Sequence, residues 1–434
     1  MLSSLKQHQT RLTAKFLRGV DLTAASLGLF GKPLRAEALI AAACRREGTT
    51  DFGEWTFREP LEVLLRAYEQ ESDLTAFGRI AVRFDMMRFL CNLLRLREEE
   101  RKHPEILDEE IKQPIFILGL PRSGTTFLHN LLAQDPANRF PWCWQTIYPY
   151  PLRGWRSSKK DRRSRIVAGQ FKSFLRLVPE LPSLHPLEAN AAQECIEITG
   201  QVFRSLRFDT THYVPSYEKW LDEAGHDEAY RFHKRFLQHL QHQSGSGNWV
   251  LKSPDHIFAL SALAAAYPDA RYVFVHRDPL EVLASVTRLT EILRQPFTHQ
   301  IDRSQIGQQV SRRWAQGAGL LIQASKALKS TPERAFHMHY RTLTRSPETA
   351  VQAIYEQFGL SLSREFSERL RGFVTNRPKG GYGQNVYRIE DYGLDPQVER
   401  RRYREYIAYF GIGSEAPANL DRGVPPPRKA EANA

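Results

Sequence analysis

The stretch that decides the fold runs from residue 114 to residue 126 and reads Pro-Ile-Phe-Ile-Leu-Gly-Leu-Pro-Arg-Ser-Gly-Thr-Thr. Its short apolar run, bounded by Pro114 and Gly119, predicts a buried strand. The residues from Thr125 to Ala133 predict a helix that begins directly at the glycine turn. Backbone N–H groups at the start of a helix have no partner inside it, and Gly124 lets an oxyanion approach them closely. The stretch therefore predicts a phosphate-binding turn.

The glycine spacing matches the loop that binds nucleotide triphosphates, but one key residue differs. Thr125 stands where that loop carries a lysine that reaches the β- and γ-phosphates. Arg122, inside the turn, instead provides a planar guanidinium suited to a tetrahedral dianion. The missing lysine argues against triphosphate hydrolysis. A nucleotide kinase and a glycine turn that serves only helix packing remain as alternatives.

Composition and charge set the broad class of the protein. The chain has 434 residues, 41% of them hydrophobic and 25% charged, which is typical of a globular protein. Its formal charge of +12 favours anionic partners such as nucleic acid, lipid headgroups or nucleotides, without choosing among them. The four widely spaced cysteines predict neither a metal site nor a disulfide framework. With no secretory signal and no apolar run of membrane-spanning length, we expect a soluble, cytoplasmic protein without a membrane partner.

Further strand-to-helix units follow the loop. Strands are predicted at residues 249–254, 271–276 and 335–339, and a helix follows each of them. Strands that alternate with helices indicate a parallel sheet, with ligands at the carboxyl ends of its strands. The predicted fold class is α/β, a P-loop-like parallel sheet flanked by helices with an N-terminal helical cap. The predicted division of the chain is a cap at 1–110, an α/β domain at 111–422 and a disordered tail at 423–434.

The longest predicted helix of the cap covers residues 79–96. Six apolar side chains at helical spacing are predicted to lie on one buried face, namely Ile80, Phe84, Met87, Leu90, Cys91 and Leu94. The charged run at 95–102 that follows is interpreted as a solvated helix end. We expect Pro104 to stop this helix.

The motif Pro-Arg-Ser-Gly-Thr-Thr after a strand resembles the 5′-phosphosulfate loop of sulfotransferases, enzymes that use the donor 3′-phosphoadenosine 5′-phosphosulfate (PAPS). Its arginine form is similar to the tyrosylprotein sulfotransferases and to a large bacterial group. A second match is decisive, because Arg277 at a strand end and Ser285 on the next helix resemble the family's 3′-phosphate element. The resemblance covers nearly the whole chain. It implies transfer of a sulfonate group from PAPS to a hydroxyl or amine, without a metal.

The resemblance also implies which residues form the site. The donor would be bound by Arg122, Ser123, Gly124, Thr125, Thr126, Arg277, Ser285 and Tyr340, and by Arg377 and Lys379 in a glycine-rich basic loop. Lys252, in Leu-Lys-Ser-Pro, is similar to the family's lysine that stabilises charge on the bridging oxygen of the departing phosphate. Arg122 would share this catalytic role. A salt-bridged lysine at a strand end is the alternative interpretation of Lys252.

The acceptor's proton needs a base, and here the sequence departs from the family. Gln145 stands where tyrosylprotein sulfotransferases and many bacterial relatives carry a glutamate, and an amide cannot take a proton. We predict that His256, four residues after Lys252, is the base, because an imidazole has a suitable pKa. A histidine of the hydrophobic core is the alternative. Glu194 and His185 are further candidates for the base.

The chain between the loop's helix and residue 249 carries the least regular pattern. Residues 141–165 combine tryptophans, tyrosines and prolines with a basic run, which predicts either a lid at the acceptor entrance or a solvated helix face. We expect a small-molecule or extended acceptor, and leave a homodimer open. Nucleic acid is not expected, although a non-catalytic protein that binds nucleotides or nucleic acid remains an alternative. His233, His239 and His242 are interpreted as surface residues, so no metal site is predicted.

Overall fold

The computed structural model describes residues 33–152, 161–184, 186–376 and 387–413. In these ranges the strands are β1 Ile115–Leu118, β2 Asn138–Arg139, β3 Asn248–Lys252, β4 Arg271–His276 and β5 Ala335–His339. The helices up to β3 are α1 Ala36–Glu47, α2 Arg58–Glu71, α3 Ala76–Lys102, α4 Thr125–Leu132, α5 Cys143–Ile147, α6 Arg163–Leu177, α7 Leu181–Leu184, α8 Ile196–Thr199, α9 Arg207–Thr211, α10 Pro215–Ala224 and α11 Asp227–Ser244. Those after β3 are α12 Leu260–Ala266, α13 Pro279–Arg294, α14 Arg303–Ala327, α15 Tyr340–Arg345, α16 Pro347–Gln357, α17 Arg364–Thr375, α18 Pro396–Arg402 and α19 Arg404–Tyr409.

Some of the sequence-based predictions fall outside the described residues. These are the donor-loop residues Arg377 and Lys379, the alternative base His185, and the tail at 423–434. Residues 1–32 and the basic stretch 153–160 also lie outside the description.

The five strands form one parallel sheet in the order β2-β3-β1-β4-β5. β1 lies at its centre and pairs with β3 on one side and with β4 on the other. The register sets Ile117 opposite Lys252, and Leu118 opposite Phe274. The chain therefore leaves the carboxyl ends of three neighbouring strands at one edge, and the predicted α/β fold is confirmed.

Both faces of the sheet are covered, as expected for parallel strands. Successive side chains of β1 point to opposite faces. Phe116 and Leu118 join a core shared with the helices that precede β1, whereas Ile115 and Ile117 pack with α4, α16 and α17. Because the N-terminal helices share one continuous core with the sheet, they are fixed against it. The division of the chain at residue 110 stays a prediction.

Helix α3 begins earlier than predicted and ends at Lys102, just before Pro104, as expected. It begins one turn earlier because the Thr75 hydroxyl accepts a hydrogen bond from the Gly78 N–H at 2.9 Å, which caps the helix. The prediction that its charged end is solvated is wrong for Arg95, whose side chain is 2% exposed and forms an ion pair with Glu47. Glu100 is buried as well, and accepts a hydrogen bond from Arg235. This end of α3 is therefore held in place by ion pairs.

The predicted buried face of α3 is correct only for its second half. Leu90, Cys91 and Leu94 are buried, but Ile80 is 45% exposed and Phe84 is 51% exposed. In the first half of the helix the buried positions include Val82 and Met86 instead. The described part of the chain contains no helix that is both long and apolar enough to cross a membrane.

Candidate active site

The turn after β1 is shaped by two glycines with positive φ angles. A Cβ atom on Gly119, where φ is 155°, would lie 2.5 Å from the carbonyl oxygen of Val275 and 2.7 Å from the Ser123 hydroxyl. A Cβ atom on Gly124, where φ is 95°, would lie 2.7 Å from the ring of Tyr340. Any side chain larger than the hydrogen atom of glycine at position 119 or 124 would therefore force the turn away from its neighbours. The turn passes closely between the end of β4 and the start of α15.

Arg122 lies at the middle of this turn in a left-handed conformation, with φ at 63°. Its Nε donates a hydrogen bond to the Ser285 hydroxyl on α13 at 3.1 Å. The Arg277 guanidinium donates to the carbonyl oxygen of Arg122 at 2.7 Å and lies 4.2 Å from the ring centre of Tyr340. These contacts bring together the loop, the end of β4, α13 and the start of α15.

The electrostatics of the turn favour an anion. Burial, and then the neighbouring Arg277 guanidinium, lower the pKa of Arg122. The Ser123 hydroxyl is fully buried and has no hydrogen-bond partner within the described part of the chain. A buried polar group without a hydrogen-bond partner raises the free energy of the folded state, and so do two guanidinium groups placed side by side. An anionic ligand at this turn would satisfy both.

Lys252 is the last residue of β3, and its side chain is only 4% exposed. Its ammonium group donates a hydrogen bond to the Thr126 hydroxyl at 3.0 Å. It also forms an ion pair with the carboxylate of Glu194, whose side chain is 20% exposed. A cation and a carboxylate therefore meet at the start of α4, beside the anion-binding turn.

Glu194 reaches this position through backbone contacts of its own segment. Ala192 pairs with Trp142 in an antiparallel bridge, and the N–H of Cys195 donates to the carbonyl oxygen of Lys252 at 2.9 Å. The segment thus connects the chain before α5 to the end of β3. Sequence reasoning could name Glu194 as a candidate but had no signal for this pairing, because 58 residues separate it from Lys252.

Gln145 caps the start of a short helix. It stands at the position where the family pattern led us to expect a glutamate. Its side-chain oxygen accepts a hydrogen bond from the backbone N–H of Trp142 at 3.1 Å, at the start of α5. The side chain is buried. Its amide therefore serves to cap a short helix, which an ionised carboxylate could also do.

His256 lies in the protein core, although Lys252 is among the charges that lower its pKa. It lies in a 3₁₀ turn at Pro254–Ala259, is fully buried, and pairs through Nδ1 with the hydroxyl of Tyr230. Its ring centre lies 5.0 Å from that of Phe116, inside the core shared with the N-terminal helices. Burial, and then the neighbouring His233, lower its pKa well below the usual range. This geometry does not support the prediction that His256 is the base, and favours the alternative of a core histidine.

Two other histidines also differ from their sequence-based interpretation. His233 and His239 are fully buried, so describing them as surface residues was wrong. His103, Glu105 and His242 form a cluster whose ligand atoms lie within 4.8 Å of one another. None of the three lies in the turn, in the ends of β3 and β4 or in α13, so the cluster is separate from the candidate site.

Sequence reasoning did not single out Tyr387 as a residue near the candidate site. It is the first described residue after the glycine-rich stretch that contains Arg377 and Lys379. It packs against an apolar cluster that includes Ile292 of α13, the helix that carries Ser285. An isolated tyrosine after a glycine-rich loop has no spacing that would single it out.

A sequence model described as the Sulfotransferase family matches residues 114–364, which is more than half of the chain. The chain belongs to the sulfotransferase family. The match begins at the strand before the turn and includes β3, β4 and β5. It therefore contains the turn, the Lys252–Glu194 pair, and Arg277, Ser285 and Tyr340.

Solved structures of sulfotransferases have the same architecture. The crystal structure of sulfotransferase STF1 from Mycobacterium tuberculosis H37Rv is 31% identical, with a TM-score of 0.75 over 86% of this chain and 99% of that one. Sulfotransferase STF9 from Mycobacterium avium is 28% identical, with a TM-score of 0.78 over 88% of this chain and 98% of that one. These similarities include the helices before β1, and they confirm the fold expected from the resemblance.

A further relative carries a substrate in its name. The chain is 24% identical over 291 residues to omega-hydroxy-beta-dihydromenaquinone-9 sulfotransferase Stf3 from Mycobacterium bovis and from Mycobacterium tuberculosis. The match covers 64% of this chain and 70% of that protein. Together the comparisons support sulfonyl transfer as the reaction, over a nucleotide kinase or a non-catalytic binding protein.

Proposed function

We propose that the protein transfers a sulfonate group from PAPS to a hydroxyl or amine, with Glu194 as the general base. The observation that carries this proposal is the ion pair between Lys252 and Glu194, next to Thr126 at the start of α4. It joins a cation suited to a leaving phosphate with a carboxylate able to accept a proton. His256, buried in the core, offers neither.

The residues of the turn fit a donor with two phosphate groups. The Ser123 hydroxyl and the first N–H groups of α4 would bind the 5′-phosphosulfate, since both are polar groups without an internal partner. Arg277 and Ser285 would bind the 3′-phosphate, for which a planar guanidinium is well suited. The ring of Tyr340 would line the nucleotide pocket. Arg377 and Lys379 remain proposed contacts to the 3′-phosphate.

Lys252 and Arg122 would stabilise the charge that develops on the released phosphate. When bound, PAPS supplies a sulfonate group that is activated by departure of a nucleotide phosphate. Cations held in a partly desolvated site need no reorganisation as this charge appears, so they lower the barrier strongly. Lys252 is well placed for this because its side chain is almost fully buried and is already held by Thr126.

Glu194 would take the acceptor's proton while the new bond to sulfur forms. The bond between sulfur and the bridging oxygen breaks, and 3′-phosphoadenosine 5′-phosphate leaves with the electron pair. In this structure the carboxylate forms an ion pair with Lys252. The donor phosphate, bound beside Lys252, would take over part of this interaction and leave the carboxylate of Glu194 able to accept the proton. Lys252 and Glu194 would thus act in the same transfer step, Lys252 on the leaving phosphate and Glu194 on the acceptor's proton.

The acceptor is proposed to combine a hydroxyl with an extended apolar part. Phe140 and Trp142 stack edge to face with ring centres 4.6 Å apart, on the segment that pairs with Ala192 just before Glu194. Trp142 is 36% exposed and so offers an apolar surface near the base. The name of the relative Stf3, a sulfotransferase of a hydroxylated menaquinone, agrees with this class of acceptor.

The test is a transfer assay with PAPS and a panel of acceptors, with release of 3′-phosphoadenosine 5′-phosphate as the readout. The panel contains long-chain apolar alcohols, short polar alcohols and amines. We expect turnover with at least one extended apolar alcohol, and turnover about 10²- to 10⁴-fold slower with the Glu194→Gln variant. Absence of PAPS turnover with every acceptor, or phosphorylation dependent on ATP, would contradict the proposal.

A further inference from the structure

Helix α3 carries an apolar stripe that described residues cover only in part. Phe77, Ile80 and Phe84 follow one another at helical spacing and share one face. Ile80 is 45% exposed and Phe84 is 51% exposed, which makes them the most exposed of the large apolar side chains described. Phe77, at the start of the stripe, is half-buried. Large apolar side chains that are exposed side by side indicate a surface that binds a protein, a membrane or a ligand.

The stripe continues into a groove along α6. An open groove of about 510 Å³ lies between Phe77 and one face of α6, where it is lined by Ile166, Gly169, Gln170, Ser173, Phe174 and Leu177. A stack of three aromatic rings fixes the two helices to each other. The ring centre of Phe297 lies 5.8 Å from that of Phe77 and 6.1 Å from that of Phe174, and the rings are nearly parallel. The exposed stripe and the groove thus form one surface, which we call the α3–α6 surface.

The α3–α6 surface is bordered by cations. Arg165, Lys172 and Arg176 are exposed and lie on the side of α6 next to the groove, away from the core. None of the three forms a salt bridge with another residue in the described ranges. The sequence from Arg162 to Pro179 contains no acidic residue. Helix α6 therefore has a buried face, an apolar groove face and a cationic face.

We propose that the α3–α6 surface binds the surface of an anionic lipid bilayer. An amphipathic helix with cations beside an apolar face binds such membranes, because the apolar side chains enter the headgroup region and the cations meet the anionic headgroups. This inference replaces our expectation that the protein has no membrane partner. It does not depend on the proposed function, since neither PAPS nor an acceptor enters into it.

A second copy of this chain fits the surface less well than a bilayer does. In a symmetric dimer the same patch meets itself, so the cationic face of α6 would oppose its own copy. Like charges brought together in this way destabilise an interface. An anionic bilayer has the opposite charge and an apolar layer beneath it, so it complements both parts of the surface.

The α3–α6 surface is close to elements of the candidate site. Val167 of α6 packs with residues of α5, next to the segment that carries Glu194. At the other end of α6, Val178 packs with Ile292 of α13, the helix that carries Ser285. Helix α6 therefore spans the two elements that flank the site. Binding to a bilayer through this helix would bring the site to the membrane surface.

The experiment is co-sedimentation of the full chain with phosphatidylcholine vesicles that either contain or lack phosphatidylglycerol. We expect binding to the anionic vesicles only, and loss of most of it at about 1 M salt, where the Debye length is about 3 Å. The variants Ile80→Asp/Phe84→Asp and Lys172→Glu/Arg176→Glu should each reduce binding by about tenfold or more. Leu362→Asp and Val398→Asp, at exposed apolar positions elsewhere, should bind as the unmodified protein does.

Hydrogen exchange of the unmodified protein with and without anionic vesicles gives a readout that needs no variant. We expect protection confined to peptides from α3 and α6. The proposal is overturned if the protein does not sediment with anionic vesicles, if the control variants lose as much binding as the test variants, or if protection falls elsewhere. It is also overturned if size-exclusion chromatography with light scattering shows a dimer that Phe84→Asp separates and no vesicle binding.

Discussion

Lys252 and Glu194 form an ion pair at the end of the central parallel sheet, although 58 residues separate them in the chain. Both side chains are largely shielded from water, at 4% and 20% exposure. In this structure each charge neutralises the other. In the proposed mechanism, a donor phosphate would take over part of the interaction with Lys252, next to a carboxylate that is already partly shielded from water. We propose that the pair couples donor binding to removal of the acceptor's proton.

Replacing Glu194 by glutamine should slow transfer by about 10²- to 10⁴-fold, the usual contribution of a general base. Glutamine keeps the size of the side chain but cannot take a proton. Binding of 3′-phosphoadenosine 5′-phosphate should change little, and calorimetry can measure it beside the turnover rate. Glu188→Gln is the matched control, because Glu188 is exposed in the same segment and should leave the rate unchanged. An unchanged rate of transfer in the Glu194→Gln variant would exclude Glu194 as the base.

Replacing Lys252 by alanine should reduce turnover by about 10²-fold or more while nucleotide binding is retained. The alanine variant removes the charge that stabilises the leaving phosphate, and also the counterion of Glu194. The double variant Lys252→Ala/Glu194→Gln should therefore be little slower than the slower single variant, because the two residues act as a unit. Full residual turnover in Lys252→Ala would refute its catalytic role, and additive losses would refute the coupling.

Gly124→Ala should weaken binding of the product nucleotide and lower the melting temperature. The added methyl group would lie 2.7 Å from the ring of Tyr340, at a backbone position where φ is 95°. The turn must then shift away from the ring of Tyr340. Gly372→Ala, in helix α17 with nothing within 4 Å of the added atom, should be neutral or slightly stabilising. Unchanged nucleotide affinity in Gly124→Ala would argue that the turn does not hold the donor.

Asp255 predicts a specific dependence of stability on pH. Burial is the main cause that raises its pKa to about 6, from an ordinary value of 3.8. The folded state thus favours the protonated form of Asp255. The stability that this protonated carboxyl contributes is fully present below about pH 3.8 and is lost as the pH rises through 6.

The variant Asp255→Asn tests this dependence. Its amide oxygen can accept the same hydrogen bonds from Ser205 and Leu206, but it does not titrate. Between pH 4 and pH 7 the unmodified protein should lose on the order of 3 kcal/mol relative to the variant, at about 1.4 kcal/mol per pKa unit. Urea unfolding at a series of pH values measures the difference. Parallel stability curves for the two proteins would show that Asp255 does not titrate in this range.

The fold could be predicted from sequence because its signals are local. The apolar run of β1, the glycine turn and the helix after it follow directly from the order of residue types, as do β4 and β5. Strand β2 was missed, since two residues at Asn138–Arg139 carry no periodic pattern. The exposure of Ile80 and Phe84 was missed for a related reason. Helical spacing predicts which side chains share a face, but not how far the core extends along it.

The base could not be settled from sequence because the answer depends on contacts between distant segments. His256 follows Lys252 by four residues, and spacing alone cannot show that a 3₁₀ turn directs it into the core. Glu194 is far from Lys252 in sequence and comes beside it only through the hydrogen bond from Cys195 to the end of β3. The pairing of Arg122 with Ser285 likewise forms only when the sheet is assembled.

The most direct test of the donor site is isothermal titration with 3′-phosphoadenosine 5′-phosphate, AMP and ATP, using the unmodified protein and the Arg277→Ala variant. We predict tight binding of the first nucleotide and at least about tenfold weaker binding of AMP, since hydrogen bonds to charged groups contribute about 1.5–3 kcal/mol each. The variant should lose this preference. Equal affinities for the first two nucleotides, no binding at all, or a magnesium-dependent preference for ATP would contradict the assignment of this site to PAPS.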